Sequence, residues 1–405
     1  GLGVAILLLA YNAVGFEILD VTDEEWVAPG YEVVEEVVID PLVYGEPFSD
    51  DGVPVIGVHL SFVPDGSSDE AWRVVFVFDR KVVVLTEGAD PVEIPVGLEI
   101  ESCAFSPSGG FVVVHDGAEE YTGRNAARID TATGAAEVFD SQPEGTPGPR
   151  GIEASDNFIV RCGLSFFGDD LTRIGRLDEE TRWNRGTISP SGLFFVTEKA
   201  WRSPSLICLF GTDGNLVWEK ETVPHAFASL VGDMVFSPDE TLLAVPVHTG
   251  LEIWDTETGE TIWRDESGRI ITAPIFDPSI DRFWCDGCGY DLSSGHQNWG
   301  ESVTIDGYDG KYGNWQIVSA SPEMLLIVLE SRNPNLRRRA VVSVEGEVVW
   351  MSSASERGYP GPLSMTGRTF RYDVSSVRFG LSPSGELVGL APGEVIRFLD
   401  IKEVD

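Results

Sequence analysis

A Ser-Pro turn that returns at nearly regular intervals is the feature that most restricts what this chain can fold into. It stands as Ser106-Pro107-Ser108-Gly109, Ser189-Pro190-Ser191-Gly192, Ser237-Pro238-Asp239-Glu240, Ser321-Pro322 and Ser382-Pro383-Ser384-Gly385, with weaker forms at Val63-Pro64-Asp65-Gly66 and Asp277-Pro278. Proline fixes φ at the second turn position, and Ser and Asp side chains bond to nearby backbone. From Pro64 the prolines lie 43, 83, 48, 40, 44 and 61 residues apart. The gap of 83 holds two units if Ser155-Asp156-Asn157 is a degenerate copy of the turn. A second marker keeps phase with the first. Gly-x-x-x-Trp occurs at Gly214/Trp218, Gly259/Trp263 and Gly346/Trp350, which end 28, 25 and 28 residues after Pro190, Pro238 and Pro322.

The clearest unit is Met234 to Trp263, MVFSPDETLLAVPVHTGLEIWDTETGETIW. It reads as short apolar strands separated by the Ser-Pro turn, by His248-Thr249-Gly250 and by Asp255 to Gly259, with the two-residue alternation of a half-buried strand at Leu251 to Trp254. A sheet this small cannot bury both faces alone, so units of 40 to 50 residues must stack on one another, as the blades of a β-propeller do. The expected fold is an all-β β-propeller with seven or eight four-stranded blades. It forms one domain over residues 1–405, a closed ring with its termini in the same or adjacent blades. Residues 1–30 are expected as a partial blade or closing strands, 31–54 as an acidic excursion and 55–374 as successive blades with insertions at 281–315 and 352–373. A closing blade at 375–405 completes the ring, and closure removes the sheet edges that template aggregation.

At these residues the chain resembles the WD40, YVTN and quinoprotein-like propellers. Phe105 to Gly109 and Ile253-Trp254-Asp255 are similar to repeats of the first two, and Asp255 to Trp263 resembles the tryptophan-docking repeat of the third. The resemblance implies an architecture that unrelated functions share. The Gly-His pair typical of WD40 repeats is absent. So is the Cys-Cys pair that quinoprotein dehydrogenases place beside their cofactor.

Charge narrows the range of partners. The chain has 66 acidic and 28 basic residues, a net charge of −38, with Lys only at 81, 199, 220, 311 and 402. Such a surface suits saturating salt, where screening over about 3 Å at 1 M removes self-repulsion, and the reading is a halophilic protein. Nucleic acid is disfavoured, because phosphate binding needs a clustered basic face. Residues 1–10, GLGVAILLLA, are too few to span a bilayer and lack the basic flank of a signal peptide. The chain is therefore expected to be cytoplasmic without membrane insertion, a cell-surface or exported location being the alternative.

Several residues are candidates for chemistry or contact. Cys285 and Cys288 have the spacing of a zinc knuckle, with His296 as a third ligand and Asp291 or water as a fourth. The same pair fits a redox dithiol, a local disulfide or ordinary loop cysteines. Asp306 to Gly310 with Asn314 has calcium-loop composition but reads better as a hairpin turn. For partner contacts the aromatic residues Trp284, Tyr290, Trp299, Tyr308 and Tyr312 stand out, with Tyr359 and Tyr372 further on and the basic cluster Arg337-Arg338-Arg339 between them. Strand alternation puts Arg337 and Arg339 on one face and Arg338 on the other. The five histidines lie in no nucleophile motif, and no cofactor is called for beyond a zinc at the cysteine pair. The function expected is a non-enzymatic protein-interaction scaffold. The alternative is a quinoprotein-like or metal-dependent enzyme with its site at the central channel.

Overall fold

In the computed structural model strand follows strand, and neighbouring strands within each sheet are antiparallel. The structure describes residues 26–39, 57–64, 70–100, 102–116, 125–141, 152–157, 159–162, 165–177, 183–199, 206–222, 234–247, 250–265, 275–276, 282–285, 288–291, 315–320, 324–330, 337–343, 347–351, 364–365, 368–369, 379–381, 387–390 and 396–403. Among them there is no helix.

The chain divides into two compact units. The larger, built from 40–274 and 370–378, holds five consecutive four-stranded meanders at 57–95, 102–140, 152–176, 183–221 and 235–264. Each meander obeys one pattern. Central strands such as Phe111–His115 and Leu206–Gly211 are buried almost throughout, whereas fourth strands such as Ala136–Asp140 and Leu216–Glu221 are largely exposed. Apolar clusters form where one sheet faces the next. Val75, Val77 and Val84 pack with Val112, Val114 and Ile129 at the first junction, and Val196, Ile207 and Leu209 pack with Leu243, Val245 and Trp254 at the last.

The Ser-Pro turns share one set of bonds. Ser106, Ser155, Ser189 and Ser237 are fully buried. Their Oγ atoms accept from the amides of Phe111, Ile159, Phe194 and Leu242 at 3.2, 3.2, 3.1 and 3.0 Å. Ser155-Asp156-Asn157 therefore opens a turn of the same kind, one residue shorter and without the proline. Neighbouring turns are also bonded to one another. A ring nitrogen of His59 in the first sheet bonds the Pro107 carbonyl. The Ser108 amide donates to Asp156 Oδ1 at 2.8 Å, and the Asp156 amide to the Pro190 carbonyl at 2.7 Å. Ser191 Oγ donates to Glu240 Oε2 at 2.6 Å. One line of polar contacts thus runs through all five sheets. Glu240 makes its contact from φ +62°, a position that glycine fills at Gly109 and Gly192. A non-glycine residue held in that region is strained, and the two-sheet bond offsets the strain.

The smaller unit comprises 1–39, 275–369 and 379–405. Its first sheet has three strands, Ile275–Phe276, Arg282–Cys285 and Cys288–Asp291. The next runs from Trp315–Ala320 to Val348–Met351 and takes Trp26–Val27 as a fifth strand, which covers Trp350 and leaves it fully buried. In the last, Phe379–Leu381, Leu387–Leu390 and Ile396–Glu403 are joined by Tyr31–Ile39. A two-strand ladder pairs Ser364–Met365 with Arg368–Thr369.

Two expectations change. Six sheets have four strands among the described residues, short of the seven or eight four-stranded blades expected, because the sheet at 275–291 stops at three and that at 315–351 takes a fifth. The acidic excursion at 31–54 begins instead as a strand. Tyr31–Ile39 pairs antiparallel with Ile396–Glu403, with a register shift between Val33 and Glu35. Residues 1–25 and 40–56 lie outside the described residues.

Candidate functional site

The residues singled out in the sequence fall into three groups. Cys285 and Cys288 are register partners at the connected end of a strand pair, with only Asp286 and Gly287 between them in sequence. An Asp-Gly pair in sequence between two strands has the composition of a two-residue hairpin connection. Trp284 is fully buried, in register with Ile275 and Gly289, and packs the sheet interior instead of offering a contact surface. Its sequence neighbourhood suggested a long loop, but the strand Arg282–Cys285 carries it inward. Tyr290 pairs in register with Phe283. Arg337, Arg338 and Arg339 open a strand opposite Glu330, Leu329 and Val328, so backbone alternation separates Arg338 from the other two as expected. His296, Trp299, Asp306, Tyr308, Asp309, Tyr312, Asn314, Tyr359 and Tyr372 lie outside the described residues.

Buried ionisable groups in the larger unit join sheets together. Arg161 grips Glu153 through Nε at 3.2 Å and Nη2 at 2.9 Å, and its guanidinium lies 4.8 Å from the Phe195 ring centre in the next sheet. Glu252, almost fully buried, accepts from Trp254 Nε1 at 2.7 Å and pairs with Arg264 at 3.0 Å. His59 stacks on Phe105 at 5.1 Å, and burial pushes its imidazole from 6.5 down to about 4, the Asp156 carboxylate and the Pro107 carbonyl opposing this only in part. At neutral pH the ring is uncharged. Among the described residues no group of three or more His, Cys, Asp or Glu side chains is placed to hold a metal ion.

A different feature, not anticipated from sequence, faces outward. Thr212 to Asn215 form the turn between the third and fourth strands of the 183–221 sheet, and four exposed apolar residues surround it. Leu193, 62% exposed, accepts the Thr212 amide through its carbonyl. Leu216 and Val217, 50% and 46% exposed, leave the turn on the other side. Ile174, 40% exposed, comes from the preceding sheet, where adjacent Gly175 lies so close to the backbone of Thr212 and Asp213 that a Cβ would collide with it. Asp213 sits at the centre, its carboxyl held below the usual range by bonds from the Asn215 amide and side chain at 2.9 and 2.8 Å. Three segments thus bring exposed apolar residues to the neighbourhood of a turn that carries the Asp213 carboxylate. One sequence signal points to it: Leu193 follows its Ser-Pro-Ser-Gly turn where the other copies have Gly110, Thr241 and Glu386.

No protein-family model matches the chain. No curated protein matches its sequence. Solved structures do match by shape. The structure of dihydro-heme d1 dehydrogenase NirN in complex with DHE aligns with 74% of this chain and 67% of that one at a TM-score of 0.50 and 14% identity. The fold is a β-propeller. A chain of the mitotic checkpoint complex covers 99% of this propeller and 98% of itself, at TM-score 0.43 and 12% identity. A structure of the eukaryotic initiation factor covers 77% and 90%, again at 0.43 and 12%. At such identities the likeness is one of fold. One tryptophan of the Gly-x-x-x-Trp marker is docked on the next sheet. The Gly259 turn meets the Trp218 ring at 3.0 Å from where a Cβ would stand, and Trp218 Nε1 donates to the Thr256 carbonyl at 2.8 Å. Among the described residues no helix is long and apolar enough to cross a membrane.

Proposed function

We propose that this propeller is a non-enzymatic scaffold that binds a partner protein, and that it works at high salt. The observation that carries the reading is the exposed apolar surface of Ile174, Leu193, Leu216 and Val217 around Asp213. Exposed apolar side chains scattered singly need no explanation, but four gathered on one turn from three segments form a patch of the kind that marks interaction sites. The polar line from His59 to Glu240 supports it from behind, because a surface held by inter-sheet bonds loses little conformational freedom on binding. The partner's matching chemistry is an apolar side chain flanked by Lys or Arg, the cation facing Asp213. The charge of −38 argues against polyanions and for a solvent in which carboxylates are screened. In this reading Tyr290, Trp299, Tyr308, Tyr312 and the Arg337–Arg339 cluster are proposed as further partner contacts.

Affinity capture at molar salt tests the proposal, with the intact chain beside a Leu193→Glu/Leu216→Glu variant. Both positions are exposed, so the variant should keep its stability within about 0.5 kcal/mol. It should also lose the protein that the parent retains. A partner held equally well by both would overturn the assignment of the patch. The salt reading is checked separately by thermal unfolding against potassium chloride, where the midpoint should climb toward molar salt. A midpoint independent of salt would remove it.

A further inference from the structure

We propose that Cys285 and Cys288 form a reversible disulfide, oxidised by low-molecular-weight disulfides and reduced by the corresponding thiols. The two residues are direct register partners, Cys285 ending one strand and Cys288 beginning the next. Opposed residues of an antiparallel pair have Cα atoms about 4.5–5.5 Å apart. That separation falls inside the range of about 4.4–6.8 Å which a disulfide spans without moving the backbone. Two residues, Asp286 and Gly287, complete the closed loop. So short a loop removes little entropy from the unfolded chain, and the bond adds little to stability. A bond that is geometrically available but thermodynamically weak responds to the redox poise around it.

A zinc ion asks more of the site. It needs four ligands, whereas the pair alone suffices for a disulfide. The remaining cysteines offer a contrast. Cys103, Cys162 and Cys208 are free thiols on strands of the larger unit, and burial pushes Cys162 up to about 12 and Cys208 up to about 11. Thiols of that kind are poor nucleophiles in neutral solution.

With oxidised glutathione as the oxidant, the thiolate of one member attacks a glutathione sulfur. A mixed disulfide forms and one glutathione thiolate leaves. The other member's thiolate then attacks the protein sulfur of that mixed disulfide, closing the Cys285–Cys288 bond and releasing the second glutathione. Two electrons pass from the dithiol to the glutathione disulfide, and the two thiol protons end on the released glutathiones. The product links the last register pair before the chain connection of a sheet that has three strands, one of them only Ile275–Phe276, and so holds Trp284 opposite Gly289 in register.

The test uses the folded full-length chain in mildly alkaline buffer, exposed to excess oxidised glutathione, quenched with acid, alkylated and mapped by mass spectrometry. The segment spanning both residues should lose two hydrogens and take no alkyl label, and dithiothreitol should restore two labels. In a Cys285→Ser variant, Cys288 should stop at the mixed disulfide with glutathione. Three results would overturn the proposal: two labelled thiols after full exposure, separate glutathione adducts on both cysteines of the parent, or thiols shielded by one bound zinc per chain until a chelator is added.

Discussion

Two neighbouring junctions in the larger unit seal the same gap by different means. Between the 183–221 and 235–264 sheets an aromatic side chain fills it. Trp218 lies over Gly259, bonds Thr256 and meets Trp254 edge-on at 5.8 Å, while Lys220 Nζ donates to the Gly259 carbonyl and Thr261 Oγ1, both at 2.7 Å. Lys220 also sits 4.0 Å from the Trp254 ring centre, and burial lowers its pKa while Glu252 opposes the shift. One junction earlier, between 152–176 and 183–221, Phe166 and Phe195 meet edge-on at 5.4 Å, and the seal near the 212–215 turn is of another kind. The backbone itself closes in. A Cβ on Gly214 would stand 2.7 Å from the Arg176 carbonyl, and one on Gly175 would fall on the Thr212–Asp213 backbone. The first solution tolerates variation in a side chain, whereas the second tolerates none in the main chain. Ile174, Leu193 and Leu216 stay exposed near it.

The sharpest way to break this contrast is Gly175→Val. If the main chains touch as described, the two sheets must separate, and urea unfolding should report a loss of more than about 3 kcal/mol, beyond ordinary overpacking. A variant as stable as the parent would mean that the junction is loose.

The junction at His59 and Gly109 extends the comparison to a side chain whose charge can be changed. His59 binds its proton at about 4 when folded and at 6.5 when unfolded. The stability conferred by the neutral ring is complete above pH 6.5. It drains away as the pH falls toward 4, by roughly 3 kcal/mol in all, and changes no further below that. The hydrogen-bonded carboxyls of Asp170, Asp213 and Asp255 are shifted downward, so their contribution is lost only below the ordinary value of 3.8, outside this window. Denaturant midpoints across pH 4 to 7 should therefore slope for the parent and flatten for His59→Phe. Equal slopes would show that the ring is not held as described.

The smallest effect belongs to the aromatic seal. Trp218 is half-buried, so Trp218→Ala should cost about 2 kcal/mol, below the range for a fully buried ring. Trp218→Phe should recover most of that, falling short by about 1 kcal/mol for the lost bond to Thr256. A phenylalanine variant as unstable as the alanine one would make the hydrogen bond, and not the ring, the main element of the seal.

What the sequence disclosed follows from where the information lies. Turn chemistry is local. Ser155 could be recognised beside Asp156 without its proline, and its buried hydroxyl bonds as the other three do. The Gly-x-x-x-Trp marker gave the docked Trp218 for the same reason. Strand exchange is not local. Nothing in Trp26-Val27 names Val348–Met351 as its neighbour, nor does YEVVEEVVI name Ile396–Glu403, because edge pairing depends on which elements arrive side by side. The apolar patch was missed because its members lie singly among polar residues on three segments. Trp284 was misread because a glycine-rich, aromatic neighbourhood suits a loop and a tight hairpin equally well.

The pairing of Tyr31–Ile39 with Ile396–Glu403 also sets a schedule for biosynthesis. The first of these segments leaves the ribosome well before its hydrogen-bonding partner, with a delay of roughly half a minute between them at ~10 residues per second. Throughout that interval an orphan strand rich in valine must wait beside other nascent chains. Glu32, Glu35 and Glu36 keep it charged while it waits, which discourages premature pairing with the wrong polypeptide.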